Sequence, residues 1–376
     1  MAQTGERISY ALIGCGRIAP NHIAAALANS GAVALTAVCD TQPQAMEALL
    51  TRFSLQGTDV KRYTDYRELL SRERPQLVAV ATDSGSHAQI ALDAVAFGCH
   101  VIVEKPIALS LQDADRLIGA AKEKNVRLCV CHQNRFNRSV QKIRAALEQG
   151  QFGRLYHAAT HVRWNRGADY YNAADWRGHF ATDGGALMNQ CIHSIDLLRW
   201  MMGEPEEVMA YTDRLAHPYI EGEDLGLAII RFKNGAYGLV EGTTNVYPNN
   251  LEETLYIFGE KGTIKAGGKS VNRIEEWRFA DGGEEPDAVI RRFSENPPDV
   301  YGFGHTPLYA DMAAAINEGR APYIPGEAGR AALELVLAVY RASADGASVR
   351  FPLGSCASAD FQGRFDCEFP EQERGR

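Results

Sequence analysis

The chain has 376 residues, of which 45% are hydrophobic and 23% charged, and its formal net charge is −8. This length predicts two domains, each large enough to bury its own core. The composition is that of a soluble globular protein, and the acidic balance argues against a nucleic acid or an anionic membrane as partner. No apolar run is long enough to span a bilayer, and the N-terminus lacks the apolar core of a signal peptide. The eight cysteines lie mostly in apolar stretches, which favours reduced thiols and a cytoplasmic protein.

Strand and helix patterns alternate along the first third of the chain. Short apolar runs predict strands, and the amphipathic or alanine-rich runs between them predict helices. The strands are expected at 8–13, 33–39, 76–81, 100–103 and 127–131, and the helices at 21–27, 41–53, 65–72, 87–97 and 111–124. This alternation predicts a parallel, doubly wound α/β sheet in a first domain at 1–135. Polar clusters follow several strands, at the edge where open α/β sheets bind ligands.

The turn after the first strand carries the pattern G-x-G-x-x-A, in Gly14, Gly16 and Ala19. Gly14 allows a tight turn, Gly16 lets the backbone approach a pyrophosphate, and Ala19 allows close packing of helix on strand. Asp40 follows the second strand, near the offset of roughly 20 residues expected for an acid that binds ribose hydroxyls. We therefore expect NAD as cofactor, because the Asp40 carboxylate would repel the 2′-phosphate of NADP; Arg17 keeps NADP possible, since its guanidinium would pair with that phosphate. The alternative is another kind of βαβ turn, with Asp40 as a helix N-cap.

The pattern changes after residue 135, and a second domain is expected at 136–354. Helices are predicted at 140–149, 186–202, 308–318 and 327–344, and strands at 155–163 and in several runs between 207 and 264. Asn234-Gly235 predicts a tight hairpin turn, and such short connections predict a large, mostly antiparallel open sheet in an α+β domain. The last stretch, 355–376, is polar and is predicted to be an extended arm.

The segment Glu104-Lys105-Pro106 closes a strand beside the predicted cofactor crevice. A lysine at this place would face both the nicotinamide and the substrate. Pro106 fixes its own φ and biases Lys105 toward an extended conformation. The alternative is a surface lysine paired with Glu104.

The predicted helix at 186–202 follows Gly184-Gly185 and has two faces. One is an apolar stripe typical of a core, formed by Leu187, Cys191, Ile195, Leu198 and Met202. On the other face Asn189 and His193 lie one turn apart, so both are predicted to point into one cavity. Asp196 is predicted to reach His193 from behind, fixing its tautomer and raising its basicity. A functional role for His193 is favoured over a structural one, and a metal site at His193 and Asp196 is the less favoured alternative, because no other ligand cluster converges there.

The loop before this helix is rich in aromatic and arginine side chains. It contains Arg163, Trp164, Arg166, Tyr170, Tyr171, Trp176, Arg177 and Asp183. Aromatic faces and guanidinium groups suit a polyhydroxylated ring, with or without anionic groups. The alternative is a packing loop between the two domains.

Together these motifs resemble the glucose–fructose oxidoreductase/inositol dehydrogenase/MocA (Gfo/Idh/MocA) family. The resemblance spans roughly 7–354 and rests on GCGRIAPNH at 14–22, CD at 39–40, ATDSGSH at 81–87, EKP at 104–106, the segment 184–203 and GEKGTI at 259–264. It implies an N-terminal Rossmann domain, a C-terminal domain with a mostly antiparallel sheet, and oxidation or reduction of a ring carbon of a sugar or cyclitol with NAD(H) or NADP(H). Lys105 matches the lysine of the EKP motif, and His193 matches the catalytic histidine.

On this basis we predict three sets of site residues and no metal. The catalytic set is Lys105, His193 and Asn189. The cofactor set is Gly14, Gly16, Arg17, Ile18, Asp40, Thr82, Ser84, His87, Glu104, Lys105, Gln133, Trp176 and Arg177. The substrate set is Lys105, Arg163, Tyr170, Arg177, Asn189, His193 and His305.

One position departs from the family pattern, because inositol dehydrogenase-like members often have Asp where this chain has Asn189. An amide cannot accept a proton as a base, which leaves His193 as the better base. The stretch 163–190 also looks like the branch of UDP-N-acetylglucosaminuronate 3-dehydrogenases, and scyllo-inositol and L-glucose dehydrogenase-like members share much of it.

We therefore predict a dehydrogenase that oxidises a secondary ring hydroxyl, with His193 as base and Lys105 stabilising the oxygen. One rival is a glycosidase that uses bound NAD for transient ring oxidation, which would release no net NADH. Another is a dinucleotide-sensing protein without turnover, in which Lys105 or His193 would be expected to be lost. A homodimer or homotetramer is expected, because an open antiparallel sheet needs cover on its second face.

Overall fold

A computed structural model describes residues 7–280, 284–297 and 299–366. The N-terminal part is a six-stranded sheet in which every strand pair is parallel, with the order β3-β2-β1-β4-β5-β6. Its strands are β1 Ile8–Ile13, β2 Val33–Cys39, β3 Lys61–Tyr63, β4 Leu77–Val80, β5 His100–Val103 and β6 Leu128–Val130. The helices between them are α1 Ala19–Ala28, α2 Pro43–Arg52, α3 Tyr66–Glu73, α4 His87–Ala96 and α5 Leu111–Glu123. The predicted doubly wound sheet is confirmed, and β3 is a strand that the apolar pattern did not reveal.

The second sheet has eight strands, in the order β13-β12-β11-β7-β10-β9-β8-β14. They are β7 Leu155–Arg163, β8 Pro205–Asp213, β9 Leu225–Phe232, β10 Tyr237–Thr243, β11 Glu252–Gly259, β12 Gly262–Gly267, β13 Arg273–Phe279 and β14 Val349–Arg350. Only β7 and β10 pair in parallel, so the predicted mostly antiparallel sheet is confirmed. The predicted hairpin joins β9 to β10, and Gly235 takes the positive φ of 84° that its turn needs.

The remaining helices are α6 Arg138–Glu148, α7 Ala168–Tyr171, α8 Ile192–Met202, α9 Pro286–Phe293, α10 His305–Glu318 and α11 Gly326–Asp345. One face of the large sheet packs against α8 and α11. The other face carries exposed apolar side chains. Of the predicted arm, residues 355–366 are described and include a short 3₁₀ helix at Ser358–Phe361, while residues 367–376 lie outside the described part.

Helix α10 ties the C-terminal half to the N-terminal sheet. Its Tyr309 hydroxyl lies 2.8 Å from both the Tyr10 hydroxyl on β1 and Nδ1 of His22 on α1. Leu308, Tyr309 and Met312 belong to the same buried cluster as residues of β1 and α1. The segment that precedes α11 therefore packs on the N-terminal half, although the predicted boundary assigned it to the second domain.

Candidate active site

A cleft of about 750 Å³ lies at the carboxyl ends of β1, β2, β4 and β5. Its opposite wall is built by residues 164–177 and by the turn that leads into α8. Open parallel sheets present their ligand sites at this edge, so the topology alone places the cleft where a dinucleotide would lie.

The glycine turn forms the floor of the cleft. Gly14 has a φ of +96°, and a Cβ there would lie 2.4 Å from the Ala81 carbonyl oxygen, so only glycine fits. A Cβ on Gly16 would meet nothing within 4 Å, since Gly16 faces the open cleft. The backbone at Gly16 is therefore open to a bulky ligand, as a pyrophosphate site at the start of α1 requires.

Asp40 stands at the mouth of the same cleft. Its Oδ2 accepts a hydrogen bond of 2.8 Å from the Cys15 amide, and its Oδ1 accepts one of 2.8 Å from the Gln42 amide. These bonds fix the carboxylate between the ends of β1 and β2. This geometry fits an acid that receives ribose hydroxyls, and the glycine turn and Asp40 together fit NAD.

Lys105 follows β5 and lines the cleft, and its peptide bond to Pro106 is cis. Its Nζ donates a hydrogen bond of 2.7 Å to the backbone carbonyl of Asn189. Burial lowers the pKa of Lys105, while Glu104 and Asp183 oppose that shift. The lysine is thus held against the segment that carries the other predicted catalytic residues.

Glu104 lies behind Lys105 in a buried cluster. His22 Nε2 lies 3.2 Å and His305 Nε2 3.4 Å from its Oε1, and the Lys105 amide donates to its Oε2 at 3.1 Å. Burial raises the pKa of Glu104, but the hydrogen bonds with the two histidines outweigh burial and hold that pKa well below its ordinary value. With Cys131, these groups place four potential metal-ligand atoms within 4.8 Å of one another, a convergence that sequence reasoning missed. The hydrogen bonds to Glu104 account for the arrangement without a metal.

The predicted helix at 186–202 begins with a π-helical turn, Leu187–Cys191, before α8 starts. Gly185 precedes this turn with a φ of +95°, and a Cβ there would lie 2.3 Å from Glu223 Oε2. The Glu223 Oε1 accepts a hydrogen bond of 2.7 Å from the Leu187 amide. The buried carboxyl of Glu223 therefore stabilises this turn, in addition to the backbone hydrogen bonds of the helix.

The π turn and the first turn of α8 bring Asn189 and His193 to the cleft beside Lys105, as predicted. The Asn189 side-chain amide donates a short hydrogen bond to the buried carboxyl of Asp183. Burial raises the pKa of Asp183 to about 6. The loop that precedes the π turn therefore places a carboxylate, that of Asp183, beside Asn189.

His193 is half-buried at the cleft wall. Burial pushes its pKa well below the ordinary value, and the neighbouring Lys105 and His132 lower it further. The imidazole is therefore neutral near pH 7, the form that can accept a proton.

The prediction that Asp196 supports His193 directly is wrong. Asp196 is 1% exposed and forms two hydrogen bonds with Arg135, of 2.8 Å to Nε and 2.6 Å to Nη2. On the next turn of α8, the Trp200 ring packs against the guanidinium groups of Arg135 and Arg144. Spacing along a helix places residues on one side but does not show which partners a neighbouring segment supplies.

Three arginines surround Tyr170 at the outer end of the cleft. The guanidinium carbons of Arg177, Arg166 and Arg17 lie 4.2, 5.3 and 5.8 Å from the centre of its ring. Within the described ranges, none of the three has a carboxylate within 4.0 Å, and Nε of Arg177 is buried without a hydrogen-bond partner. Burial lowers the pKa of Arg166. Asp183 interacts electrostatically with Arg177, so positive charge exceeds negative charge here, and this excess favours an anionic ligand.

The cleft gathers all predicted catalytic and cofactor-binding residues. It is lined by Gly14, Gly16, Arg17, Ile18, Asp40, Thr82, Ser84, His87, Glu104, Lys105, Gln133, Trp176, Arg177, Asn189 and His193, and also by Tyr170. Two predicted substrate residues are absent from this lining. Arg163 forms ion pairs with Glu241 and Glu252 on the large sheet, and His305 lies behind Glu104.

Sequence reasoning did not select Arg166, Gln190 and Tyr301, which also line the cleft. Gln190 donates a hydrogen bond of 3.0 Å to the Tyr170 hydroxyl. For Arg166 the signal was present, since it lies in the aromatic and arginine-rich loop. Tyr301 comes from a distant segment, and only the fold brings it near.

A Rossmann sheet with the glycine turn, Asp40 and Lys105 at one edge, facing Asn189 and His193 from the π turn and α8, is typical of a dinucleotide-dependent oxidoreductase. Profile comparison matches residues 8–132 to the oxidoreductase family with an NAD-binding Rossmann fold, and residues 140–265 to the GFO/IDH/MocA C-terminal domain. The chain belongs to the Gfo/Idh/MocA family and is an NAD-dependent dehydrogenase.

Individual relatives agree with this assignment. The chain is similar to the WlbA dehydrogenase from Bordetella pertussis, solved with NADH and UDP-GlcNAcA, at 39% identity and a TM-score of 0.87 over 94% of this chain and 100% of that one. The Chromobacterium violaceum WlbA structure, with the same ligands, is 36% identical with a TM-score of 0.85 over 93% and 98%. The Thermotoga maritima myo-inositol 2-dehydrogenase is 27% identical over 90% of this chain and 97% of its own length. In the part of the chain that the structure describes, no helix is long and apolar enough to cross a membrane.

Proposed function

We propose that this dehydrogenase oxidises a secondary ring hydroxyl of an anionic nucleotide sugar, of the UDP-N-acetylglucosaminuronate type, to a ketone. The observation that carries the proposal is the group of three arginines around Tyr170, in the same cleft as Lys105 and His193. Arg17 follows Gly16 and would also face the cofactor diphosphate. A neutral cyclitol or hexose would leave Arg166 and Arg177 without an anionic partner on the substrate. A sugar carboxylate or a diphosphate would compensate them.

Two further observations support a substrate larger than a monosaccharide. A second cavity of about 460 Å³ adjoins the cleft, and Trp164 and Val300 line both. The WlbA structures, which are similar over nearly the whole chain, contain UDP-GlcNAcA.

The roles of the cleft residues follow from their chemistry. His193, neutral near pH 7, takes the proton of the ring hydroxyl. The Lys105 ammonium stabilises the oxygen as it becomes a carbonyl. Asn189 and Arg177 hold neighbouring polar groups of the ring. NAD, when bound along the glycine turn and Asp40, supplies the nicotinamide that accepts the hydride.

The test is a panel of substrates with NAD, followed by absorbance of reduced nicotinamide. UDP-N-acetylglucosaminuronate should be oxidised, and UDP-N-acetylglucosamine, which lacks only the carboxylate, should react much more slowly. An Arg177→Met variant should raise KM for UDP-N-acetylglucosaminuronate and so reduce the difference in rate between the two nucleotide sugars. Faster turnover of myo-inositol or of the uncharged nucleotide sugar would contradict the proposal. Conversion of a sugar substrate without net release of NADH would indicate the NAD-dependent glycosidase instead.

A further inference from the structure

A second histidine lies directly behind His193. His132 follows β6 and is 1% exposed. Its ring meets that of His193 edge to face, with the ring centres 5.7 Å apart and the planes at 87°. On the other side of His132, its Nδ1 lies 4.0 Å from Oδ2 of Asp196. The order from the cleft inward is therefore His193, His132, Asp196.

The facing ring nitrogens lack other partners. Among the described residues, both nitrogens of His132 and Nδ1 of His193 are buried with no hydrogen-bond partner. A buried donor without a hydrogen-bond partner destabilises the folded state. A neutral imidazole has one donor and one acceptor, so two adjacent rings can satisfy each other.

We propose that His132 is a positioning residue for the base His193. The two rings are in edge-to-face contact but are not hydrogen-bonded to each other in this structure, and a small rotation of the rings lets Nε2 of His132 accept a hydrogen bond from Nδ1–H of His193, while Nδ1–H of His132 faces Asp196. The claim that His193 acts as base rests on the proposed function. The arrangement leaves Nε2 of His193 unprotonated on the cleft side, where the substrate hydroxyl would lie. Asp196 thus acts on His193 through His132 rather than by direct contact.

The charges around these two rings suit that arrangement. Burial lowers the pKa of His132, with Asp196 and Glu104 raising it and Arg135 and Lys105 lowering it further. Burial alone would raise the pKa of Asp196, but Arg135 and His132 hold it below its ordinary value. His193 also faces Lys105, Glu104 and His305. His132 is therefore neutral and Asp196 ionised, which orients His132 and stabilises His193 when it gains a proton.

Two substitutions separate this role from simple packing. His132→Phe keeps an aromatic ring and removes both nitrogens, whereas His132→Gln keeps an amide oxygen that can accept from Nδ1–H of His193. His132→Phe should lower kcat for oxidation by roughly 10–100-fold, with KM nearly unchanged, and His132→Gln should recover most of the loss. His217→Gln is the matched control, because His217 is also a buried histidine paired with an aspartate, Asp224, away from the cleft.

The pH profile gives a readout that a packing defect would not move. Replacing His132 has two opposite effects on the pKa of His193: loss of the acceptor for Nδ1–H lowers it, and loss of the repulsion from His132 raises it. We expect the lost acceptor to dominate, so the acid limb of kcat/KM should move to lower pH in His132→Phe and stay in place in His132→Gln. A limb that moves to higher pH in His132→Phe would overturn the proposal. A His132→Phe enzyme with wild-type kcat and an unmoved limb would overturn the proposal. A His132→Gln enzyme as slow as His132→Phe would do the same.

A measurement on the wild-type protein needs neither variant to fold. With ¹⁵N-labelled histidine, the His193 signals, assigned through a His193→Gln variant, should show the Nδ1–H tautomer. An Nε2–H tautomer would refute the proposal. This readout requires no substrate, so its failure is distinct from failure of the substrate panel.

Discussion

At the scale of single residues, the chemistry depends on His193 and Lys105. His193→Ala should lower kcat by roughly 10²–10⁴-fold, the usual contribution of a general base. Lys105→Met should also lower kcat, because it removes charge stabilisation made mainly in the transition state. NADH affinity, measured by fluorescence titration, should change little in His193→Ala. Near-normal turnover in that variant would mean that another group is the base.

The pH dependence of the wild type separates these two residues. Since burial and Lys105 lower the pKa of His193, kcat/KM for oxidation should fall only as the pH drops well below 6.5. That limb should disappear in His193→Ala. If the limb persists unchanged, the titrating group is not His193, and Lys105, whose pKa is also lowered, becomes the candidate.

Cofactor choice is also decided by single side chains. The Asp40 carboxylate, fixed by the amides of Cys15 and Gln42, should repel the 2′-phosphate of NADP. We expect kcat/KM with NAD to exceed that with NADP, and Asp40→Ser to narrow the difference. Arg17→Ala is the companion variant. Equal use of NAD and NADP by the wild type would contradict this prediction. If Arg17→Ala then lost activity with NADP alone, Arg17 would be the residue that binds the 2′-phosphate.

At the scale of elements, the segment 186–202 shows what the sequence could predict. Its apolar stripe and the placement of Asn189 and His193 on the cleft were predictable, because helical spacing depends only on local sequence. The π turn was not. It depends on a hydrogen bond from the Leu187 amide to Glu223 and another from the Met188 amide to the Tyr340 hydroxyl, both distant in sequence. The hydrogen bonds between Arg135 and Asp196 could not be predicted either, because these two residues are also distant in sequence.

Glu223 gives this element a pH-dependent stability. Burial raises its pKa to about 8, and it is fully buried against the π turn. The folded state therefore keeps a proton that the unfolded chain loses above its ordinary pKa, so stability should fall as the pH rises toward 8, by at most about 1.4 kcal/mol per pH unit. Urea midpoints at mildly acidic and mildly alkaline pH test this.

Glu223→Gln should flatten that dependence, because the amide keeps the acceptor for the Leu187 amide and cannot ionise. Glu253, whose pKa burial raises to about 7, should contribute a slope of the same sign over a narrower pH range that ends near pH 7. Glu123→Gln, at an exposed site, is the control and should leave the slope unchanged. A Glu223→Gln slope equal to that of the wild type would contradict the assignment.

At the scale of the whole molecule, the described residues cover one face of the large sheet, with α8 and α11, and leave its other face open. Its other face exposes large apolar side chains on three adjacent strands: Met209 and Tyr211, Leu227 and Ile229, and Tyr237 and Leu239. A contiguous apolar surface of this kind marks an interface. A second copy related by two-fold symmetry presents the same surface, so the face can bury itself against its own equivalent.

We therefore expect a homodimer, or a tetramer built from it. Light scattering at micromolar concentration should give a mass above the 41.2 kDa of the monomer. The double variant Tyr211→Glu/Ile229→Glu places charges in the middle of the face and should shift the protein toward monomer. Phe97→Glu, at an exposed apolar site on the nucleotide-binding half, is the control and should leave the mass unchanged. A wild-type protein that is monomeric at these concentrations would contradict the prediction. An oligomer that survives the double variant would place the interface elsewhere.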